Sequence, residues 1–270
     1  MKKFLLILLA SVSLTVSGCL EIEEGIKLNE DGSGTMEIKS DMGELMSMLS
    51  MMGASKDEKI NKDTVITYKN YLDTAQSLTA AEKDLLRNAE WKIKMNSEEG
   101  VFLMTLSAPF KNPGQVNEIL AVLQKWDNVD MMGEAMKGLS PGGADSSRGM
   151  DLGLEGMGGG NRTTGDMTKD YFKSEWKNGK LSKKLDAEKY KKIGEDKDLN
   201  SFKEMGAMAP GGGDILEKIT VVSKFVLPRP VKKAEGKNVK LSEDKKTVTI
   251  SCPVSDIYTD PKNFEYEIEY

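Results

Sequence analysis

The chain has 270 residues, 38 basic and 43 acidic side chains, and a net charge of −5. That is enough for one sizeable core or two modest ones, and the acidic balance excludes the basic footprint on which nucleic-acid binding depends. Histidine is absent, which removes Ser-His-Asp and Cys-His catalysis, histidine zinc sites and the usual general base near neutral pH.

In chain order, Lys2 and Lys3 form a positive start and Phe4 to Val16 an apolar run of signal-peptide length, too short for a membrane-spanning helix. The run exits through Val16-Ser17-Gly18-Cys19. This resembles the lipobox of bacterial lipoproteins: small residues let the peptidase reach the backbone, and the cysteine thiol carries a diacylglycerol. Residues 1–18 are therefore expected to be a lipoprotein signal peptide and Cys19 the lipidated residue. Two or three acyl chains, palmitate among them, give stable anchoring where one would be marginal. Leu20 follows, in place of the aspartate that commonly retains lipoproteins at the inner membrane, so an outer-membrane location is favoured. Glu21, Glu23 and Glu24 read either as a surface-sorting signal or as the solvated face of a strand, with Glu24 alone out of phase.

Leu20, Ile22, Ile26 and Leu28 alternate as a half-buried strand, Asn29 to Gly32 make a turn, and Gly34, Met36 and Ile38 return. Asp41 with Glu44 has the spacing of a helix cap before Leu45, Met48, Leu49 and Met52. Residues 53–63 read as loop and Thr64 to Tyr71 as a strand. Thr79 and Glu82 form a capping box before a short helix at Leu85 and Leu86. Trp91, Ile93 and Met95 pair through Glu98-Glu99-Gly100 with Val101 to Leu106. Asn112-Pro113 starts a helix whose core face is Val116, Ile119, Leu120, Leu123 and Trp126.

Residues 131–165 contain eleven glycines and few branched apolar side chains. They cannot bury enough surface to offset the entropy of ordering, so the pattern predicts a flexible linker or loop. Beyond it, Tyr171 to Lys177 and Leu181 to Leu185 flank Asn178-Gly179, the strongest short hairpin signal. Short helices are expected at 187–197 and 199–208. Strands follow from Ile219 to Leu227, at Val231, Val239 to Leu241, Val248 to Val254, and Phe264 to Ile268. The expected fold is α+β, an antiparallel sheet with helices on one face. Its parts are the leader 1–18, an N-terminal α+β part 19–130, the linker 131–165 and a β-rich part 166–270 completing the same sheet.

Three features together resemble the LppM-like bacterial lipoproteins: the lipobox cysteine running straight into a strand, the strand–Asp31-Gly32-Ser33-Gly34–strand hairpin, and the late Val226-Leu227-Pro228 strand end followed by Thr247-Val248-Thr249-Ile250. The resemblance implies a β-rich extracytoplasmic fold that handles lipid or glycolipid, with no catalytic residues to carry over.

The remaining chemistry is sparse. Cys252 is in phase with Val248 and Ile250 and reads as a core thiol. Asn29 to Met36 has an EF-hand look, but Ser40 stands where a bidentate glutamate belongs, so a hairpin turn accounts for it. Met42, Met46, Met48, Met51 and Met52 crowd one stretch, and Met131, Met132, Met136, Met150, Met157 and Met167 lie in or beside the glycine-rich one. Thioethers suit Cu(I), but methionine also fills cores and makes adaptable surfaces. The lysine pairs 183–184, 191–192, 232–233 and 245–246 read as solvated surface. The leading expectation is a lipid-anchored, non-enzymatic envelope protein without cofactor or resident metal. It would bind a lipid, glycolipid or envelope protein. A scaffolding lipoprotein and a Met-based Cu(I) binder are the alternatives.

Overall fold

The computed structural model describes residues 20–43, 61–125, 171–196, 200, 217 and 219–270, and every structural statement below concerns these residues. Among them the α+β expectation holds: twelve strands form two sheets, with five short helices against them.

The larger sheet has the order β10-β11-β8-β1-β2-β5-β4-β3. Its centre is β1 (Leu20–Leu28) with the hairpin partner β2 (Gly34–Asp41). Asn29 N donates to Ser33 O, and Asp31 Oδ1 accepts from both the N–H and the hydroxyl of Ser33. Gly32 supplies the left-handed residue of this turn at φ +85°. Next outward come β5 (Val101–Phe110), β4 (Glu90–Asn96) and β3 (Asn61–Thr67), each antiparallel to its neighbour. Pro109 lies beyond the last rung between β5 and β4, at Ser107 and Glu90, so the missing N–H breaks no rung there.

On the other side of β1 lies β8 (Ile219–Val226), followed by β11 (Thr247–Pro253) and β10 (Val239–Leu241). The β1–β8 pairing is parallel, Leu20 opposite Ile219. No tight turn joins these two strands, so nothing local imposed the antiparallel sense that hairpins require.

The second sheet has the order β6-β7-β12-β9. The Asn178-Gly179 turn closes β6 (Phe172–Lys177) onto β7 (Lys180–Leu185) as expected, and β12 (Tyr266–Glu269) and β9 (Lys233–Glu235) complete it. The strands after residue 166 are therefore divided between two sheets. β8, β10 and β11 extend the large one, while β6, β7, β9 and β12 form a separate layer.

The helices are α1 (Lys69–Leu72), α2 (Ala80–Leu86), α3 (Gly114–Lys125), α4 (Ala187–Tyr190) and α5 (Asp256–Thr259). The Thr79–Glu82 capping box is formed in full. Lys125 Nζ at the end of α3 also donates to Glu82, at 2.9 Å. That bond, followed by those from Thr79, holds the Glu82 carboxyl down at about 2. Val116, Ile119 and Leu123 of α3 are buried, at the expected helical spacing.

Some boundaries differ from expectation. The strand expected to reach Tyr71 stops at Thr67. Tyr68 is fully buried, and its hydroxyl accepts from Trp91 Nε1 at 2.6 Å. Anchored there, the chain turns into α1 and buries Leu72 instead of continuing the alternation. Phe264 belongs to a 3-10 turn (Pro261–Phe264) just before β12, because Pro261 opens a turn there. The expected helix after Asp41 is described only at its start, where Asp41 Oδ1 accepts from Gly43 N at 3.0 Å. Residues 44–60, Trp126 and the linker 131–165 lie outside the described residues, as does 199–208 apart from Asn200.

One face of the large sheet is the core face. Ile22 and Ile26 of β1, Met36 and Ile38 of β2, Phe102, Leu106 and Phe110 of β5, and Val221 and Phe225 of β8 are all buried. The small sheet covers this face over β1 and β8 through an aromatic chain. Trp176 meets Phe225 edge-on at 6.4 Å, and Phe225 meets Tyr266 at 5.3 Å. Aromatic contacts of this kind contribute about 0.5–1.5 kcal/mol each beyond area burial.

Candidate functional site

Cys19, the expected lipidation site, lies outside the described residues. The residue after it does not: Leu20 is the first residue of β1, paired with Ile219. β1 is flanked on both sides by hydrogen-bonded strands, β2 and β8. An anchor on Cys19 is thus covalently one residue from the middle of the sheet, with no spacer between them.

Between the two sheets lies an internal cavity of about 40 Å³, lined among others by Glu24, Ser174, Trp176, Lys183, Ser223 and Tyr266. Strand alternation places these polar groups there. Glu24 shares its side of β1 with Ile22 and Ile26, whereas Glu21 and Glu23 face the other way, Glu23 accepting from Lys39 at 3.1 Å. The acidic triplet is therefore divided between two faces and does not form one exposed patch.

Lys183 corrects the reading of its lysine pair as surface. It is only 6% exposed, and its ammonium lies over the rings of Phe172 at 5.2 Å and Phe264 at 5.9 Å. The signal was present in the sequence, since Lys183 is in phase with Leu181 and Leu185. Lys184, one residue on, faces solvent and pairs with Glu267.

Complete burial pushes the Tyr266 phenol far above its ordinary value, a shift that the indole of Trp176 slightly opposes. The Trp176 Nε1–H nonetheless reaches no partner within hydrogen-bond geometry among the described residues. The cavity has room for about three water molecules, which suits an unsatisfied indole N–H. It is far below the roughly 300–1,000 Å³ of a small-molecule site. That cavity can hold water but not an acyl chain.

The other sequence candidates are structural wherever they are described. Cys252 is 1% exposed, its thiol donates to Asn263 O at 3.0 Å and accepts from Asn238 Nδ2 at 3.2 Å. Burial pushes that thiol up, away from the thiolate that nucleophilic or metal chemistry needs. Asp31, at the third position of the calcium-like spacing that begins at Asn29, has an oxygen engaged in bracing its own turn. Of the clustered methionines only Met42 is described, and it is buried in the core. Trp91 and Trp176 serve separate parts of the interior and do not make a shared platform. Among the described residues there is no group of three or more His, Cys, Asp or Glu able to hold a metal, and no helix is long and apolar enough to cross a membrane.

Compared with protein-family profiles, with curated proteins and with solved structures, the chain matches none. The resemblance to LppM-like lipoproteins therefore rests on the quoted residues alone.

Proposed function

We propose that this chain is an exported bacterial lipoprotein, acylated on Cys19, held at the envelope with the outer membrane favoured, and acting by binding rather than catalysis. The observation that carries the reading is the Val16-Ser17-Gly18-Cys19 exit of an apolar leader, joined without spacer to a central strand. Here the junction is continuous with β1, which ties the whole sheet to the membrane surface at its Leu20 end. A non-catalytic role is supported by the absence of histidine and by the raised pKa values of the buried Cys252 thiol and Tyr266 phenol. The small inter-sheet cavity favours recognition through the outer surface over carriage of a lipid between the sheets.

The test is metabolic labelling of the expressing bacterium with an alkyne fatty acid, followed by partition of the membranes in a clouding detergent. Wild type is expected to take the label and enter the detergent phase, and Cys19→Ala to take none and keep its leader. An unlabelled wild type, or a labelled Cys19→Ala, overturns the assignment.

A further inference from the structure

Leu20 stands near the middle of one end of the large sheet, with three strands on the β8 side of β1 and four on the β2 side. The next residue, Glu21, lies opposite Thr220 and Asp41 and starts a row that continues through Leu103 to Lys94. The β4–β5 hairpin runs past that row, to Asn96 opposite Val101. Its turn rests against the end of β2: Met42 N donates to Phe102 O at 2.8 Å, and a Cβ on Gly43 would fall 2.2 Å from Gly100 O. The β1–β2 and β10–β11 turns lie at the other end of the sheet, because Lys27 is opposite both Thr35 and Val226, and Val226 is opposite Thr247.

We infer, on the reading that Cys19 carries the anchor, that the protein stands on end on a zwitterionic phospholipid surface. The β4–β5 turn is against the headgroups, and the β1–β2 and β10–β11 turns face away from them. β1 spans nine residues, so its far end is about 26 Å beyond Leu20. Charge does not draw the Leu20 end toward anionic lipid, since Glu21, Asp41, Glu98 and Glu99 are all exposed there. The tether sets the orientation.

Reach excludes the other orientations. Consecutive Cα atoms are about 4 Å apart, so an acylated Cys19 holds Leu20 close to the headgroups. Strands lie about 4.8 Å apart, so resting the sheet on its β10 edge would lift Leu20 by about 14 Å, and resting it on its β3 edge by about 19 Å. Resting on the small sheet would put a layer about 10 Å thick between Leu20 and the surface. One residue spans none of these distances. The outer face of the large sheet is within reach but is not flat, because eight strands turned by about 20° at each step form a saddle. The ion pairs Lys39–Glu23, Lys39–Glu37 and Lys92–Glu90 also occupy charges of that face among themselves.

The experiment is fluorescence quenching on vesicles. The protein is purified from the membranes of an expressing bacterium and added to preformed phosphatidylcholine vesicles that carry a nitroxide on a fraction of the headgroups. One variant, Glu99→Cys, places a thiol-linked fluorophore in the β4–β5 turn, and a second, Glu243→Cys, places it in the β10–β11 turn. Cys252 is 1% exposed and Cys19 is acylated, so each variant offers one reactive thiol. Both substituted side chains are exposed, so both variants should keep the wild-type melting curve. Flotation with the vesicles is scored first and reports on the anchor. Both proteins are expected to float, with the Glu99→Cys probe quenched at least about threefold more than the Glu243→Cys probe, given a separation of about 26 Å along the strands. Equal quenching of the two probes on floating vesicles, or stronger quenching at position 243, overturns the orientation and leaves the lipid anchor standing. Failure to float overturns the anchor and the orientation with it.

Discussion

Gly34→Ala tests the packing at the centre of the large sheet. Gly34 opens β2, opposite Leu28 of β1 and Phe110 of β5. A Cβ there would lie 2.2 Å from the Lys27 carbonyl oxygen and 2.5 Å from the Phe110 ring. The first neighbour is backbone in a hydrogen-bonded strand and cannot rotate away. The ring is 4% exposed and has little free space around it. Relief requires moving β1 or β5 relative to β2, so the cost is at the upper end of overpacking, about 3 kcal/mol. For a protein of this size that lowers the melting temperature by about 6–12 °C. Gly25→Ala is the internal control: it lies in the adjacent strand, yet its nearest neighbour would be at an ordinary 3.7 Å. Removing a strand glycine there should leave stability unchanged or raise it by up to about 1 kcal/mol. Thermal melts followed by circular dichroism compare the pair. If Gly34→Ala melts within about 2 °C of wild type, or no lower than Gly25→Ala, the packing argument fails.

Two further outcomes are expected. Lys183→Gln should cost about 2 kcal/mol, since it replaces a ring-stabilised ammonium by an amide in a buried site, whereas Lys184→Gln should stay within about 1 kcal/mol because Lys184 is exposed. Urea midpoints of the two variants decide this, and equal values would return Lys183 to the surface. Glu267 accepts from Lys180 and Lys184, which hold its carboxyl at about 2 against an ordinary 4.5. Its folded pKa is depressed, so the unfolded chain binds more protons in that window; the stability it contributes is present above about 4.5 and lost as pH falls toward 2. Glu267→Gln should therefore flatten the dependence of the urea midpoint on pH across that range; a slope equal to wild type would refute the assignment.

Local chemistry made much of this fold legible. Period-two alternation in Ile22–Ile26–Leu28, Trp91–Ile93–Met95 and Val248–Ile250–Cys252 identified strands, because one face of each had to be buried. The Thr79–Glu82 box and the Asn178-Gly179 turn were readable because their hydrogen bonds and dihedrals involve neighbours in sequence. The Val16 to Cys19 exit is legible for the same reason, being a short segment recognised in extended form.

Pairing across long separations was not legible. The side-chain pattern of β8 is the same whether it lies parallel or antiparallel to β1, and nothing in β6, β7 or β12 says that they leave the large sheet for a second layer. That layering decided which polar residues became interior: Lys183 and Glu24 lie on the apolar side of their strands, but only the second sheet turned that side into a buried wall. The surroundings of Arg229, which lies over the Tyr270 ring at 5.7 Å and donates to Asn178 Oδ1 at 3.4 Å, are likewise a product of tertiary structure. The stiffness of Pro228-Arg229-Pro230 is local and present in the sequence. The ring of Tyr270 and the amide of Asn178 reach the guanidinium only because two sheets end side by side.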